Sequence, residues 1–103
     1  MPRYLVTYHG GGMPEGEAAR EEAMKAFLSW AQATGSALVD PGAPLGASLA
    51  VSASGVSKEE GDKPAGGYSV LEAGDLAAAA DLVRNHPFVR RGGTLRVSEA
   101  VAP

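Results

Sequence analysis

The chain contains no cysteine. That excludes disulfides, thiolate metal centres and cysteine nucleophiles. For a small domain it favours a cytoplasmic setting over an extracellular one. Cations are also scarce: Lys and Arg number 9 against 12 Asp and Glu, for a formal net charge of -3. No nucleic-acid partner is expected, because phosphate contacts need clustered Lys and Arg. Arg84, Arg90, Arg91 and Arg96 are too sparse to form such a cluster. No apolar run approaches the roughly 20 residues that span a bilayer. The N-terminal residues lack a charged region followed by a long apolar core, so neither a membrane association nor a signal peptide is expected.

What is present is the composition of one small globular domain, residues 1–103, with 45% hydrophobic and 20% charged residues. A chain of this size buries a modest core, and oligomerisation is a common source of further burial.

Arg3 to His9 is rich in aromatic and β-branched residues and ends at Gly10-Gly11-Gly12, which predicts a first strand. Tyr4, Val6 and Tyr8 share one face; Leu5, Thr7 and His9 share the other. Neither face is wholly polar, so both are expected to be covered. A helix is predicted from Glu17 to Thr34, with Ala19, Ala23, Phe27, Trp30 and Ala31 on its apolar side and Gly35 as its stop. Ser36 to Asp40 reads as a short strand closed by the turn signal Pro41-Gly42. Ser48 to Ser54 alternates as a half-buried strand does. Gly55 to Ala65 reads as an exposed loop. Gly67 to Ala73 is predicted as a strand, followed by Asp75 as N-cap of a helix from Leu76 to Asn85 that Pro87 ends. Thr94 to Val101 is the last strand. The order predicts an α+β, ferredoxin-like fold, an antiparallel sheet with two helices on one face.

The stretch GGYSVLEAGDLAAAADLVRNHPF, from Gly66 to Phe88, resembles the YCII-related proteins, which include the group named for its DGPF motif. The resemblance covers the glycine-rich entry, the strand, the helix opened by an acidic turn and the terminal x-Pro-aromatic, and the order of elements agrees over nearly the whole chain. It implies a dimeric α+β barrel, in which two sheets pack face to face with the helices outside. The departures bear on chemistry. Many members carry a His on the first helix, where this chain has Met24. In place of DGPF stands Glu60-Gly61-Asp62-Lys63-Pro64-Ala65, and in place of Asp-Pro-Phe stands His86-Pro87-Phe88. The family's His–Asp pair is therefore not carried over.

Candidate chemistry rests on few residues. His9, at a strand end, suits a general base near neutral pH; the plainer reading is a half-solvated histidine bonded locally. Asp40 suits an acid, a base or a ligand anchor; the plainer reading is a turn former that accepts backbone N–H bonds. As an acid–base pair the two would have to converge. Gly10-Gly11-Gly12 lacks the Lys-Ser/Thr of a phosphate loop and reads as a turn. Met24, Trp30 and Tyr68 are candidates to line a ligand pocket, although apolar residues at helical spacing are more often core. His86 has no second ligand at metal spacing, and no metal or other cofactor is expected. Ser29, Ser36 and Ser69 sit in no nucleophile context. The expectation is a cytoplasmic homodimer whose cleft binds a small organic molecule, with cofactor-free acid–base chemistry by His9 and Asp40 if it is an enzyme. The alternative is a non-catalytic structural or protein-interaction protein whose ancestral site has decayed.

Overall fold

The computed structural model describes residues 1–10, 14–58 and 65–102. β1 (Arg3–His9) and α1 (Glu17–Thr34) have the limits that alternation and helical periodicity predict. A 3-10 turn over Gly35–Ala37 leads into β2 (Leu38–Pro44). β3 (Leu49–Ser52) and β4 (Gly55–Lys58) form a separate hairpin. β5 (Gly67–Glu72), α2 (Leu76–Val83), a short α3 (Pro87–Arg90) and β6 (Thr94–Ala100) complete the chain.

The main sheet has the order β2-β5-β1-β6, and every neighbouring pair is antiparallel. Two strand–helix–strand units thus interleave, an α+β arrangement compatible with a ferredoxin-like fold. Cross-strand register decides which residues share a face. Tyr4 stands opposite Leu71, and Val6 stands between Ser69 and Val97. These residues meet both helices: Tyr4, Val6, Leu71 and Ala73 join Trp30 of α1 and Ala79 and Val83 of α2 in one buried cluster. Both helices therefore cover the same face of the sheet. Fully burying a side chain such as Val6 or Leu71 contributes about 1.5–3 kcal/mol.

Local chemistry explains the helix ends. Asp75 caps α2 by accepting the Ala78 N–H at 2.8 Å. Gly35 ends α1 at φ 65°, a conformation that favours glycine. Trp30 is locked by donating its Nε1–H to the Leu82 carbonyl at 3.0 Å, which ties α1 to α2.

The structure corrects four expectations. α2 stops at Val83 rather than Asn85, and Pro87 does not end that helix but opens α3. β2 does not stop at Asp40 but runs through Pro41-Gly42 with two register shifts against β5. These shifts are bulges, which let an irregular segment stay paired. The segment from Gly55 is not all loop: Gly55–Lys58 pairs with Leu49–Ser52 around Ala53-Ser54. The hairpin is not half-buried either, since Leu49 is 65% and Val51 77% exposed. The triple-glycine reading at Gly11 and Gly12 and the DGPF counterpart from Glu60 to Pro64 fall outside the described residues.

Among the described residues no helix packs on the opposite face of the sheet. Leu5, 41% exposed, stands there between Val70 and Ser98. The molecule is a slab of 44 × 41 × 19 Å. Its accessible surface is 7175 Å², where a monomer of this mass ordinarily shows about 5,400 Å².

Candidate functional site

The face under α1 ends in a polar group. Tyr8, the next inward position of β1 after Val6, places its hydroxyl 2.9 Å from Ser69 Oγ of β5 and 2.9 Å from His86 Nε2. Ser69 donates in turn to the Pro41 carbonyl at 2.8 Å. His86 is the N-cap of α3, and its Nδ1 accepts the Phe88 N–H at 3.0 Å. Pro87 follows at the first helical position, where a missing N–H costs nothing.

The two ends of this chain fix every proton in it. A backbone N–H only donates, so Nδ1 carries a lone pair and the neutral ring holds its proton on Nε2. A carbonyl only accepts, so the Ser69 hydroxyl is spent on Pro41. The Tyr8 hydroxyl must then accept from His86 Nε2–H and donate to Ser69. The relay runs in one direction: His86 to Tyr8 to Ser69 to the Pro41 carbonyl.

His86 is 2% exposed and lies among rings. Its ring centroid is 4.3 Å from that of Trp30, 5.1 Å from Tyr8 and 5.8 Å from Phe27. Burial, helped by the nearby Arg91 charge, lowers its pKa from 6.5 to about 4. Burial also raises the Tyr8 pKa, against the opposing effect of its Ser69 hydrogen bond. Both groups are therefore neutral near pH 7. The relay is a poor proton donor or acceptor in that state, and of its three side chains only Tyr8 is partly exposed.

This group borders a cleft of about 450 Å³, within the usual size range of ligand sites. α1 supplies Met24 and Phe27, the bulged strand β2 supplies Pro41 to Pro44, and α3 supplies Pro87 and Phe88. Arg20 and Arg91 stand at its border. The bulge matters to this shape: Gly42 has φ 77°, and a Cβ there would overlap the Tyr68 carbonyl. Only glycine lets β2 lie so close to β5 at the cleft wall.

Of the residues singled out from the sequence, Met24 and Tyr68 border this cleft. Tyr68 does so from the second position of β5, although alternation assigns its side chain to the helix-free face. Trp30 does not border it; it is a core residue that also lines a wider, alanine-rich groove between α1 and α3. His9 and Asp40 are not brought together. Asp40 is exposed and accepts the Gly42 N–H at 2.8 Å, a turn-forming contact. It pairs with Val70, which faces Leu5 across the sheet. His9 is four positions along β1 from Leu5, so strand spacing and rise separate the two Cα atoms by about 16 Å. His9 Nε2 instead meets Thr7 Oγ1 at 2.8 Å on the helix-free face.

Sequence reasoning missed Tyr8, Ser69 and His86 as one unit. His86 reads in the sequence as the residue before a proline that ends a helix, whereas it caps the helix that this proline opens. Tyr8 and Ser69 were legible only as strand positions, and their meeting depends on pairing across the sheet. Among the described residues no group of three or more His, Cys, Asp or Glu is placed to hold a metal ion. No described helix is long and apolar enough to cross a membrane. No protein-family model and no curated protein matches the chain.

Proposed function

We propose that this protein is a cytoplasmic binding protein for a small organic molecule, which it holds in the cleft between α1, β2 and α3. The observation that carries this reading is the convergence of the neutral Tyr8–His86 pair on a largely apolar cavity of about 450 Å³. A few placed polar groups in an apolar cavity are the usual make-up of a ligand site. Binding is favoured over acid–base catalysis by this group, because each of its hydrogens is already committed within the relay and His86 is neutral. His9 and Asp40 sit too far apart for a shared proton transfer.

The protein acts as a homodimer of the α+β barrel type, in kinship with the YCII-related proteins that the Gly66–Phe88 stretch resembles. Support comes from the bare face of the sheet around Leu5. The surplus accessible surface is about 1,800 Å² over that of an ordinary monomer. A standard interface removes about 800 Å² from each partner, so a face-to-face pair fits within that surplus.

A thermal-shift screen of small metabolites, read also through Trp30 fluorescence, tests the binding reading. A ligand that binds the folded state raises its melting temperature by mass action. A broad library without a single saturable hit overturns it.

A further inference from the structure

We infer that the ligand of this cleft is a small organic anion: a flat apolar body bearing one carboxylate, which pairs with Arg20 and Arg91. This rests on the binding reading above and names the chemical class that the site selects.

The chain as a whole is acidic, with a net charge of -3. The cleft is the reverse. The charged side chains that border it, Arg20 of α1 and Arg91 after α3, are both cationic, and no carboxylate borders it among the described residues. Neither guanidinium is in an ion pair among the described residues; the ion pairs there join Arg3 to Glu72 and Arg84 to Asp81. Arg91 is oriented by the Phe88 ring, with its guanidinium carbon 5.8 Å from the ring centroid. A guanidinium offers a planar fork that matches a carboxylate, and two of them beside an apolar wall reject an ammonium ligand.

The remaining lining fixes the body of the ligand. Met24, Phe27, Pro41, Pro44 and Phe88 offer apolar and flat surfaces. Such walls suit an aromatic or alicyclic skeleton and penalise a heavily hydrated polyanion, which would lose its water without replacement. His86 adds no charge of its own near pH 7, because its pKa is lowered to about 4.

The test compares 2-naphthoate with its neutral isostere 2-naphthamide by calorimetry on the full chain. The variants are Arg20→Gln, Arg91→Gln and, as a charge control outside the cleft, Lys25→Gln. Naphthoate is expected to bind about tenfold tighter than naphthamide, and each cleft variant to weaken naphthoate about tenfold. Naphthamide affinity stays unchanged in all three variants, and Lys25→Gln leaves both ligands unaffected. Should Arg91→Gln not fold, Arg91→Lys keeps the charge and loses the fork, and weakening of naphthoate is still expected. Equal affinity for the two ligands with no effect of either arginine overturns the anion inference and leaves cleft binding standing. No saturable binding of either ligand up to about 10 mM, weaker than any ordinary specific site, overturns both.

Discussion

His86 Nε2 lies 2.9 Å from the Tyr8 hydroxyl, although 78 positions of sequence separate the two residues. The contact joins the first strand to the start of the last helical turn. Burial, rather than the contact itself, keeps both partners neutral.

The folded pKa of His86, about 4, is below its ordinary 6.5. Between those values the unfolded chain takes up a proton that the folded chain refuses. Stability contributed by neutral His86 is therefore full above pH 6.5 and falls as the pH drops toward 4. The loss approaches about 3 kcal/mol at most. Urea unfolding at a series of pH values checks this. His86→Gln should flatten the slope in that window, leaving the part due to carboxylates.

The same titration should be visible without unfolding. Trp30 is the sole tryptophan, and its ring centroid lies 4.3 Å from that of His86. A protonated imidazole quenches indole emission on contact. Fluorescence of the folded protein should therefore drop with a midpoint near pH 4, and should show no such step in His86→Gln. A midpoint near 6.5 would mean that His86 is solvated.

Removing the Tyr8 hydroxyl should cost more than an average hydrogen bond. Tyr8→Phe leaves the buried His86 Nε2–H and the Ser69 acceptor without their partner, a loss of about 1–3 kcal/mol. Ser69→Ala strands the Tyr8 hydrogen and the Pro41 carbonyl. Because the two variants break one relay, their double mutant should cost less than the sum of the singles. Chemical denaturation of the three variants measures the coupling, and strict additivity would contradict a continuous relay.

The dimer is tested at Leu5. Light scattering at micromolar concentration should give twice the 10.5 kDa chain mass. Leu5→Glu places a charge at the centre of the bare face and should give a folded monomer with native circular dichroism. A wild-type monomer would remove the barrel reading and leave the cleft untouched.

Gly42→Ala should be costly despite its small size. Its Cβ would overlap the Tyr68 carbonyl, and its φ of 77° is one that alanine resists. Both effects push β2 away from β5 and widen the cleft. A melting-temperature drop larger than that of Gly46→Ala, where a Cβ meets nothing within 4 Å, is the expected reading.

Local patterns carried much of the fold. Alternation over Arg3–His9 and the apolar spacing over Glu17–Thr34 were sufficient for β1 and α1, and the Asp75 cap located α2. Pro41-Gly42 was misread because a proline–glycine pair usually turns the chain, whereas here paired bulges carry the strand through it. β4 was missed because Gly55-Val56-Ser57-Lys58 is short and has a single strongly apolar residue. The site was less legible for a different reason. His9 and Asp40 drew attention as ionisable groups beside turns, a local property. Tyr8, Ser69 and His86 come together only through the β1–β5 register and the placement of α3, which no spacing along the chain encodes.

The hairpin of β3 and β4 leaves and rejoins the sheet at a single point. The Leu45 N–H meets the Gly66 carbonyl at 3.0 Å, and the Gly66 N–H meets the Tyr8 carbonyl at 2.7 Å. That clasp closes the sheet beneath the insertion. It is made by residues outside β3 and β4, so a tight turn joining Leu45 to Gly66 should leave the pairing of β2, β5 and β1 intact, and the exposed β3–β4 turn at Ala53-Ser54 becomes a natural port for tags, reporters or foreign loops.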